Sequence, residues 1–528
     1  MRSEVVELER ISDYPRYWAE RRPSQEAMVL GDLRLTYAQL AAAVDRCARA
    51  MFAAGIRRGD RVAVLTTPRP ESLICFLACA RLGAMFTGLN LRFKLDELAY
   101  LAGDCAPRLL IGIPRFEARD YRDDLRQLAA RQASIERVVT FFGPIPGFSL
   151  LYDDFLAQAD AVDDAAYREA IAAIQPNDPV LLVYTSGSTG RPKGAMISHR
   201  GLCHCACNQC DHWWAEPLRV LNNMTISNMF CVGDLFCYSL VGGGTTVFME
   251  RFDPRGVLET IARERVTVWG QVATMQQLAL AHPDFPKFDL SSLHLIFWAG
   301  APAPRDLILK LQAICPNLST NYGLTETVAG VTYARVGSSL DVLAETAGAP
   351  DPHYTLRVVG TDGRVLGDNE EGEIQVRGLC RMVGYYNRPE ATAAMIDADG
   401  WLHTGDIGVR RPDGNYRIVG RLSDMYKSGG FNVYPREVEI LLEAHPAVAL
   451  AAVIGVKDGL FGEVGWAYLL LKPGDRLDEP EIAAWCRKRI ANFKVPKRFL
   501  VRDRLPMLAV GKVDKAALRR EATEGTKT

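Results

Sequence analysis

Residues 184–194 read YTSGSTGRPKG, in which Gly187, Gly190 and Gly194 alternate with the hydroxyls of Thr185, Ser186, Ser188 and Thr189, and Lys193 follows Pro192. Bare backbone N–H groups, hydroxyl donors and one cation on a short loop suit the oxygens of a polyanion, phosphate above all. The run before it, Val180 to Thr185, is apolar and β-branched, so the loop leaves the end of a buried strand. It is not the GxxxxGK[ST] loop that opens a helix, because Lys193 is followed by Gly194 and another apolar run, AMI. A lone Gly/Ser stretch is an ordinary turn. Its company elsewhere in the chain decides whether this one is a site.

At 528 residues the chain is long enough for two to four domains, and its net charge of -1 offers no field to draw in nucleic acid or acidic lipid. No apolar run approaches bilayer-spanning length. The N-terminus, MRSEVVELERISDYPRYW, lacks an apolar signal core, so the expected compartment is the cytoplasm. Thirteen cysteines then read as reduced thiols. The cluster LCHCACNQCDH (202–212) invites a zinc reading, but Cys203, Cys207 and Cys210 share one helical face, whereas zinc sites draw ligands from separate elements. Small apolar filler is the preferred reading, and no zinc is expected.

Strand-like runs alternate with helical ones: RVAVLTT (61–67) before ESLICFLACARLGAMF, VTVWGQV (266–272) before MQQLALAH, LHLIFWAGAP (293–302) before RDLILKLQAIC. Such alternation predicts an α/β fold of parallel-type sheets flanked by helices, with ligands at the carboxyl ends of the strands. The 187–190 loop, the Trp298–Pro302 turn and the Tyr322–Glu326 segment all fall there. After Asp406 the texture changes to a hairpin, GVRRPDGNYRIVG, and from Pro435 a new unit opens with REVEILLEAH, whose Val438, Leu441 and Leu442 share a face.

Four further segments come after the loop in order: NYGLTET (321–327), WLHTGD (401–406), GRLSDMYKSGGFNVYP (420–435) and LPMLAVGKVDK (505–515). Together the five resemble the AMP-forming adenylating superfamily of acyl- and aryl-CoA synthetases, amino-acid adenylation domains and beetle luciferases, over nearly the whole chain. The resemblance implies a large N-terminal AMP-binding domain (1–420) with a β-subdomain, and a small mobile α+β C-terminal domain (421–528). A hinge at Leu422 to Asp424 would join them. It also implies ATP, Mg²⁺ and CoA as co-substrates of a small-molecule carboxylic acid, in a monomer or homodimer.

The implied chemistry brings one anion, a carboxylate, to another, ATP, so phosphate charge must be neutralised and the attacking oxygen held in line. On this resemblance Glu326 ligates Mg²⁺ with weaker help from Thr185. Thr325 contacts the α-phosphate, and Lys193 acts with the Ser186–Gly190 loop. Tyr322 packs on adenine beside Gly300, Ala301 and Gly323. Asp406 takes both ribose hydroxyls, a role suited to an ionised acceptor, and Arg421 assists. Lys512 reaches the α-phosphate and substrate carboxylate during adenylation. Rotation at Ser423 and Asp424 then withdraws it and brings Lys427, Ser428, Gly429 and Gly430 over the site for pantetheine, the glycines allowing close backbone approach.

By the same resemblance the acyl pocket includes Ser227, Cys231, Val232, Gly270, Gln271, Ala299 and Asn321. These are small or mildly polar, which leaves room for a hydrophobic medium-chain, aryl or cyclic acid. Trp213 and Trp214 are read as core aromatics rather than walls. Cys231 stands where many relatives carry histidine, and it argues against amino-acid adenylation, which uses aspartate there. Asp234 is read as a structural turn acid, and Ser423 replaces the usual Asp or Lys of the hinge. Two other activities are open to such a chain: loading a carrier-protein thiol, or sensing nucleotide without catalysis. Lys512→Ala is expected to abolish adenylate formation yet still convert supplied acyl-adenylate and CoA to thioester. Stopped-flow assay of the two half-reactions checks this, and equal loss of both in a folded variant contradicts the alternation of domains.

Overall fold

The alternating apolar strands and amphipathic helices are realised in a computed structural model that describes residues 5–185, 191–429, 431–508 and 513–525. The chain divides into two compact units. The first holds residues 1–343, 348–354 and 377–402, and the second 344–347, 355–376 and 403–528.

Two large sheets occupy the first unit among the described residues. One is nine-stranded, and its centre is a parallel run in the order Leu318–Leu324, Leu295–Ala299, Val268–Gln271, Arg219–Asn222, Thr245–Phe248 and Glu26–Leu30. The other is eight-stranded. Its parallel core includes Met85–Leu89, Arg61–Leu65 and Leu109–Gly112, and one side ends in three strands: Pro179–Thr185, Lys193–Ser198 and Gly384–Tyr385. The near-continuous burial of Arg61–Leu65 and Leu295–Ala299 is what a sheet covered on both faces requires. The connecting helices begin at local signals. Thr36 and Gln39 form a capping box at the start of Tyr37–Ala53, and Ser198 accepts from the Gly201 N–H at the start of His199–His212. In the latter helix Cys203, Cys205 and Cys210 are buried, and burial pushes their thiols up, so they stay neutral. Trp213 is core: its ring stacks on Phe297 at 4.1 Å and its indole N–H donates to Ser319 Oγ at 2.8 Å.

Compactness groups residues 403–420, expected above with the N-terminal domain, with the C-terminal part. The reason is a shared small core, in which Ile407, Val409 and Val419 of the 402–421 hairpin pack with Tyr434 and Met425. Beyond it lies a five-stranded sheet of Phe431–Val433, Tyr426–Ser428, Gly462–Leu471, Val448–Asp458 and Arg498–Val501. The helix Pro435–Glu443 covers it with Val438 and Leu442, as its periodicity foretold. A buried carboxylate, Glu439, accepts from the Val453 N–H at 2.8 Å and pairs with Lys515 at 2.7 Å. That pair, with the Met507–Val513 bridge and the Asp514 N–H to Pro506 O bond, fixes both flanks of the segment carrying Lys512.

One packing feature departs from the sequence reading. Asp234 does not sit in a turn but inside an eight-residue π-helical run, Phe230–Cys237, with every residue buried. A π-helix closes i→i+5 hydrogen bonds, so its turn is wider than an α-helical one, and it occurs frequently at functional sites. Burial pushes the Asp234 carboxyl up to about 7, against one relieving hydrogen bond from Gln209 Nε2 at 2.6 Å. The folded state therefore holds this proton more tightly than the unfolded chain, and stability contributed below pH 3.8 is lost as pH rises towards about 7. Asp234→Asn keeps the acceptor for Gln209 and removes the titration. It is expected to raise the melting midpoint at pH 8 by roughly 4 °C and hardly at all at pH 4, as measured by calorimetry. An equal shift at both pH values contradicts the assignment.

Candidate active site

Thr185 and Lys193 face each other across the mouth of an antiparallel hairpin, the last register pair of Pro179–Thr185 with Lys193–Ser198. Directly opposed residues project from the same face, so the hydroxyl and the ammonium arise together. Ser186, Gly187, Ser188, Thr189 and Gly190 lie outside the described residues. The strand anchoring them is the buried apolar run read from the sequence, and Lys193 opens a strand rather than a helix.

Glu326 arrives from the other sheet. The strand Leu318–Leu324 ends in a single 3-10 turn, Thr325–Thr327, fastened when Thr327 Oγ1 accepts from the Leu324 N–H at 2.8 Å and donates to the Ala329 carbonyl at 2.8 Å. Val328 comes next at φ 63, a left-handed conformation costly for a β-branched residue, so the surrounding packing holds the turn against its own preference. Gly323 is the one residue type that fits its place, since a Cβ there would lie 1.8 Å from the Ala329 carbonyl oxygen.

Only 7% of Glu326 is exposed, and one of its oxygens, Oε1, accepts two hydroxyls: Thr185 at 3.0 Å and Tyr385 at 2.7 Å. Its backbone carbonyl accepts from the Met382 N–H at 2.8 Å. Tyr385 lies on the short strand Gly384–Tyr385, which pairs with Lys193–Ser198 (Ala195 with Tyr385), and Lys193 Nζ stands 5.2 Å from the centre of its ring. The sequence reading missed Tyr385. It is 59 positions from Glu326 and no spacing rule links the two; the only local sign was its place in GYYNRPE between two recognised motifs.

Of the remaining first-unit residues, Thr325 and Tyr322 are half-buried, whereas Gly300 (φ 82) and Ala301 are exposed past the end of Leu295–Ala299. Ala299 and Asn321 are register partners in adjacent strands. Cys231 is fully buried, its thiol is pushed up to about 12, and its carbonyl accepts from Asn222 Nδ2 at 3.0 Å. It is therefore neutral and cannot supply an imidazole's proton chemistry. Val232 is buried beside it, and Ser227 Oγ lies 3.3 Å from Thr225 Oγ1. Gly270 must lack a side chain, because a Cβ there would meet the Phe297 ring at 2.1 Å. The buried amide of Gln271 donates to Asn223 Oδ1 at 3.0 Å, while its Oε1 and Asn321 Oδ1 have no hydrogen-bond partner among the described residues.

In the second unit Asp406 is 4% exposed and is the register partner of Arg421, whose Nε donates to Asp406 Oδ1 at 3.0 Å. Gly405 takes φ 66, and its carbonyl accepts from the Leu422 N–H at 2.8 Å. The turn continues through Ser423 to Asp424, which pairs with Arg519 at 3.1 Å. Lys427 and Gly429 are exposed and Ser428 is buried in the Tyr426–Ser428 strand. Gly429 is left-handed at φ 58 and donates its N–H to the Phe461 carbonyl at 2.8 Å. Gly430 and Lys512 lie outside the described residues. No helix among the described residues is long and apolar enough to cross a membrane.

Comparisons with known proteins identify the family. The family model described as AMP-binding enzyme matches residues 15–386, and that of the AMP-binding enzyme C-terminal domain matches 437–512. A feruloyl-CoA synthase of Amycolatopsis sp is 37% identical over 511 residues, 97% of this chain and 98% of the relative. A 3-[(3aS,4S,7aS)-7a-methyl-1,5-dioxo-octahydro-1H-inden-4-yl]propanoyl:CoA ligase of Rhodococcus jostii (strain RHA1) is 38% identical over 509 residues, 94% and 95% of the two chains. Among solved structures, the anthranilate CoA ligase AuaEII in complex with anthranoyl-AMP superposes with a TM-score of 0.88 at 26% identity, covering 100% of both chains. The mixed α/β architecture, with a large sheet-rich N-terminal part and a smaller C-terminal one, matches that of adenylating enzymes. The chain belongs to the AMP-binding enzyme family, within the adenylating superfamily of acyl- and aryl-CoA synthetases.

Proposed function

We propose that this ATP-dependent, AMP-forming acid–CoA ligase activates a ring-bearing carboxylic acid, using Glu326 as the carboxylate that meets the cation of ATP. The observation that carries the reading is the convergence of Thr185, Glu326 and Tyr385, with Lys193 alongside, at the ends of strands from two sheets. Adenylation joins the acid's oxygen to the α-phosphorus and releases pyrophosphate, and CoA sulfur then displaces AMP from the acyl carbonyl. Both steps crowd negative charge into one place, so fixed cations and donors there lower the barrier.

Mg²⁺ fits this donor set. Among the described residues no group of three or more His, Cys, Asp or Glu is arranged to hold a metal. Mg²⁺ needs no such cage, since it is commonly held by one or two carboxylates together with substrate phosphates. Glu326 supplies a hard oxygen donor with a fixed orientation, and Thr185 a neighbouring hydroxyl. When bound, the cation would offset phosphate charge. The protein's own part is to orient: Lys193 and the 186–190 loop take phosphate oxygens, Thr325 the α-phosphate, and Tyr322 with Gly300, Ala301 and Gly323 the adenine. Asp406, with Arg421, takes the ribose hydroxyls. Lys512 serves adenylation, rotation about Ser423 and Asp424 separates the two steps, and Lys427 to Gly430 guide pantetheine. The domain boundary near 420 belongs to this same proposal, as do a cytoplasmic location and a monomeric or homodimeric state.

A ring is favoured over a medium-length chain on two grounds. The relatives named above are a feruloyl-CoA synthase, a dioxo-octahydroindenyl-propanoyl:CoA ligase and an anthranilate CoA ligase in complex with anthranoyl-AMP, and all three acyl groups are built on rings. Buried oxygens without partners, Gln271 Oε1 and Asn321 Oδ1, are also costly beside a plain hydrocarbon chain and better matched by a substituent that hydrogen-bonds. A panel of hydroxylated aryl, fused-ring and medium-chain acids, incubated with ATP, Mg²⁺ and CoA and read by mass spectrometry, tests this. Ring-bearing acids are expected to form thioester with kcat/KM at least tenfold above straight-chain acids. Preference for straight chains contradicts the ring reading, and acyl transfer only to a carrier-protein thiol contradicts CoA as acceptor.

A further inference from the structure

Tyr385 does more than fill the edge of its sheet, and we propose that its hydroxyl is the positioning group that sets the Glu326 carboxylate for metal–nucleotide binding. The inference rests on Glu326 being the metal-binding carboxylate.

The side chain is nearly buried, and the backbone holds it from several directions. Val383 N–H donates to the Met196 carbonyl at 2.7 Å, Tyr386 N–H to the Gly194 carbonyl at 2.8 Å, and Tyr385 N–H to Thr392 Oγ1 at 2.9 Å. The ring is thereby tied to the strand carrying Lys193, while its hydroxyl crosses to Glu326 of the other sheet at 2.7 Å. The bond falls on Oε1, the oxygen that also accepts from Thr185 at 3.0 Å. Neither bond uses Oε2. Two donors on one oxygen fix the plane of the carboxylate and direct the other oxygen, at the cost of nothing the metal needs. The ring has a second role, lying 5.2 Å beneath Lys193 Nζ, where its negative face attracts the ammonium. Phenylalanine would preserve that contact and the packing, so the hydroxyl can be tested alone.

Three variants and three readouts decide the matter. Tyr385→Phe is expected to slow adenylation about 10–100-fold, the worth of one hydrogen bond to a charged group, and to leave thioester formation from supplied acyl-adenylate unchanged. Mn²⁺ affinity in the presence of α,β-methylene-ATP, read by electron paramagnetic resonance without turnover, should weaken about tenfold with it. In a Glu326→Gln background, adding Tyr385→Phe should change adenylation less than twofold, since the hydroxyl acts through the carboxylate. Wild-type Mn²⁺ affinity in Tyr385→Phe overturns the inference, as does equal loss of both half-reactions or additivity with Glu326→Gln. Unchanged Mn²⁺ affinity in Glu326→Gln alone overturns the metal reading beneath it as well.

Discussion

A carboxyl group placed almost out of water is the constraint on which this molecule is organised. Moving such a group from solvent costs several kcal/mol unless donors replace the lost water. At Glu326 the replacement comes as two hydroxyls on one oxygen, Thr185 and Tyr385, delivered by strands of the eight-stranded sheet to a turn of the nine-stranded one. Bringing those strands to one place dictates much else. The hairpin must end at Thr185 and Lys193 in register, Gly323 must lack a side chain so that its strand can pass the Ala329 carbonyl, and Val328 must accept a left-handed backbone.

The second unit solves a related problem with different parts. Asp406 is buried and answered by Arg421, its neighbour in register, so a carboxylate is again held ready by a donor from an adjacent strand. Glu439 is treated likewise, by Lys515 and the Val453 N–H, and it ties the C-terminal helix to its sheet. Removing every partner of such a buried carboxylate would cost far more than a surface ion pair contributes.

Legibility in the sequence depends on how local each signal is. The parallel α/β architecture was legible because buried strands such as RVAVL and LIFWA are unbroken apolar runs and the helices between them keep a 3.6-residue period. The loop YTSGSTGRPKG was legible as leaving a buried strand because the run before it is apolar and β-branched, and the structure adds that the run after it pairs back as a hairpin. Tyr385 was not legible, because its partner lies 59 positions away and only the fold brings them together. Asp234 was misread for a related reason. An acid near glycine suggests a turn, but a π-helical run leaves no short-range signature, and tertiary packing overrode the propensity. Phe297 packs directly against Gly270, a contact that no local spacing reveals.

Diffraction at the manganese edge from crystals grown with Mn²⁺ and a non-hydrolysable ATP analogue tests the central claim most directly. The account requires an anomalous peak about 2.1 Å from a Glu326 carboxylate oxygen, with Tyr385 and Thr185 still bonded to Oε1 and the phosphates beside Lys193. A metal and triphosphate seated elsewhere, with Glu326 touching neither, would contradict it.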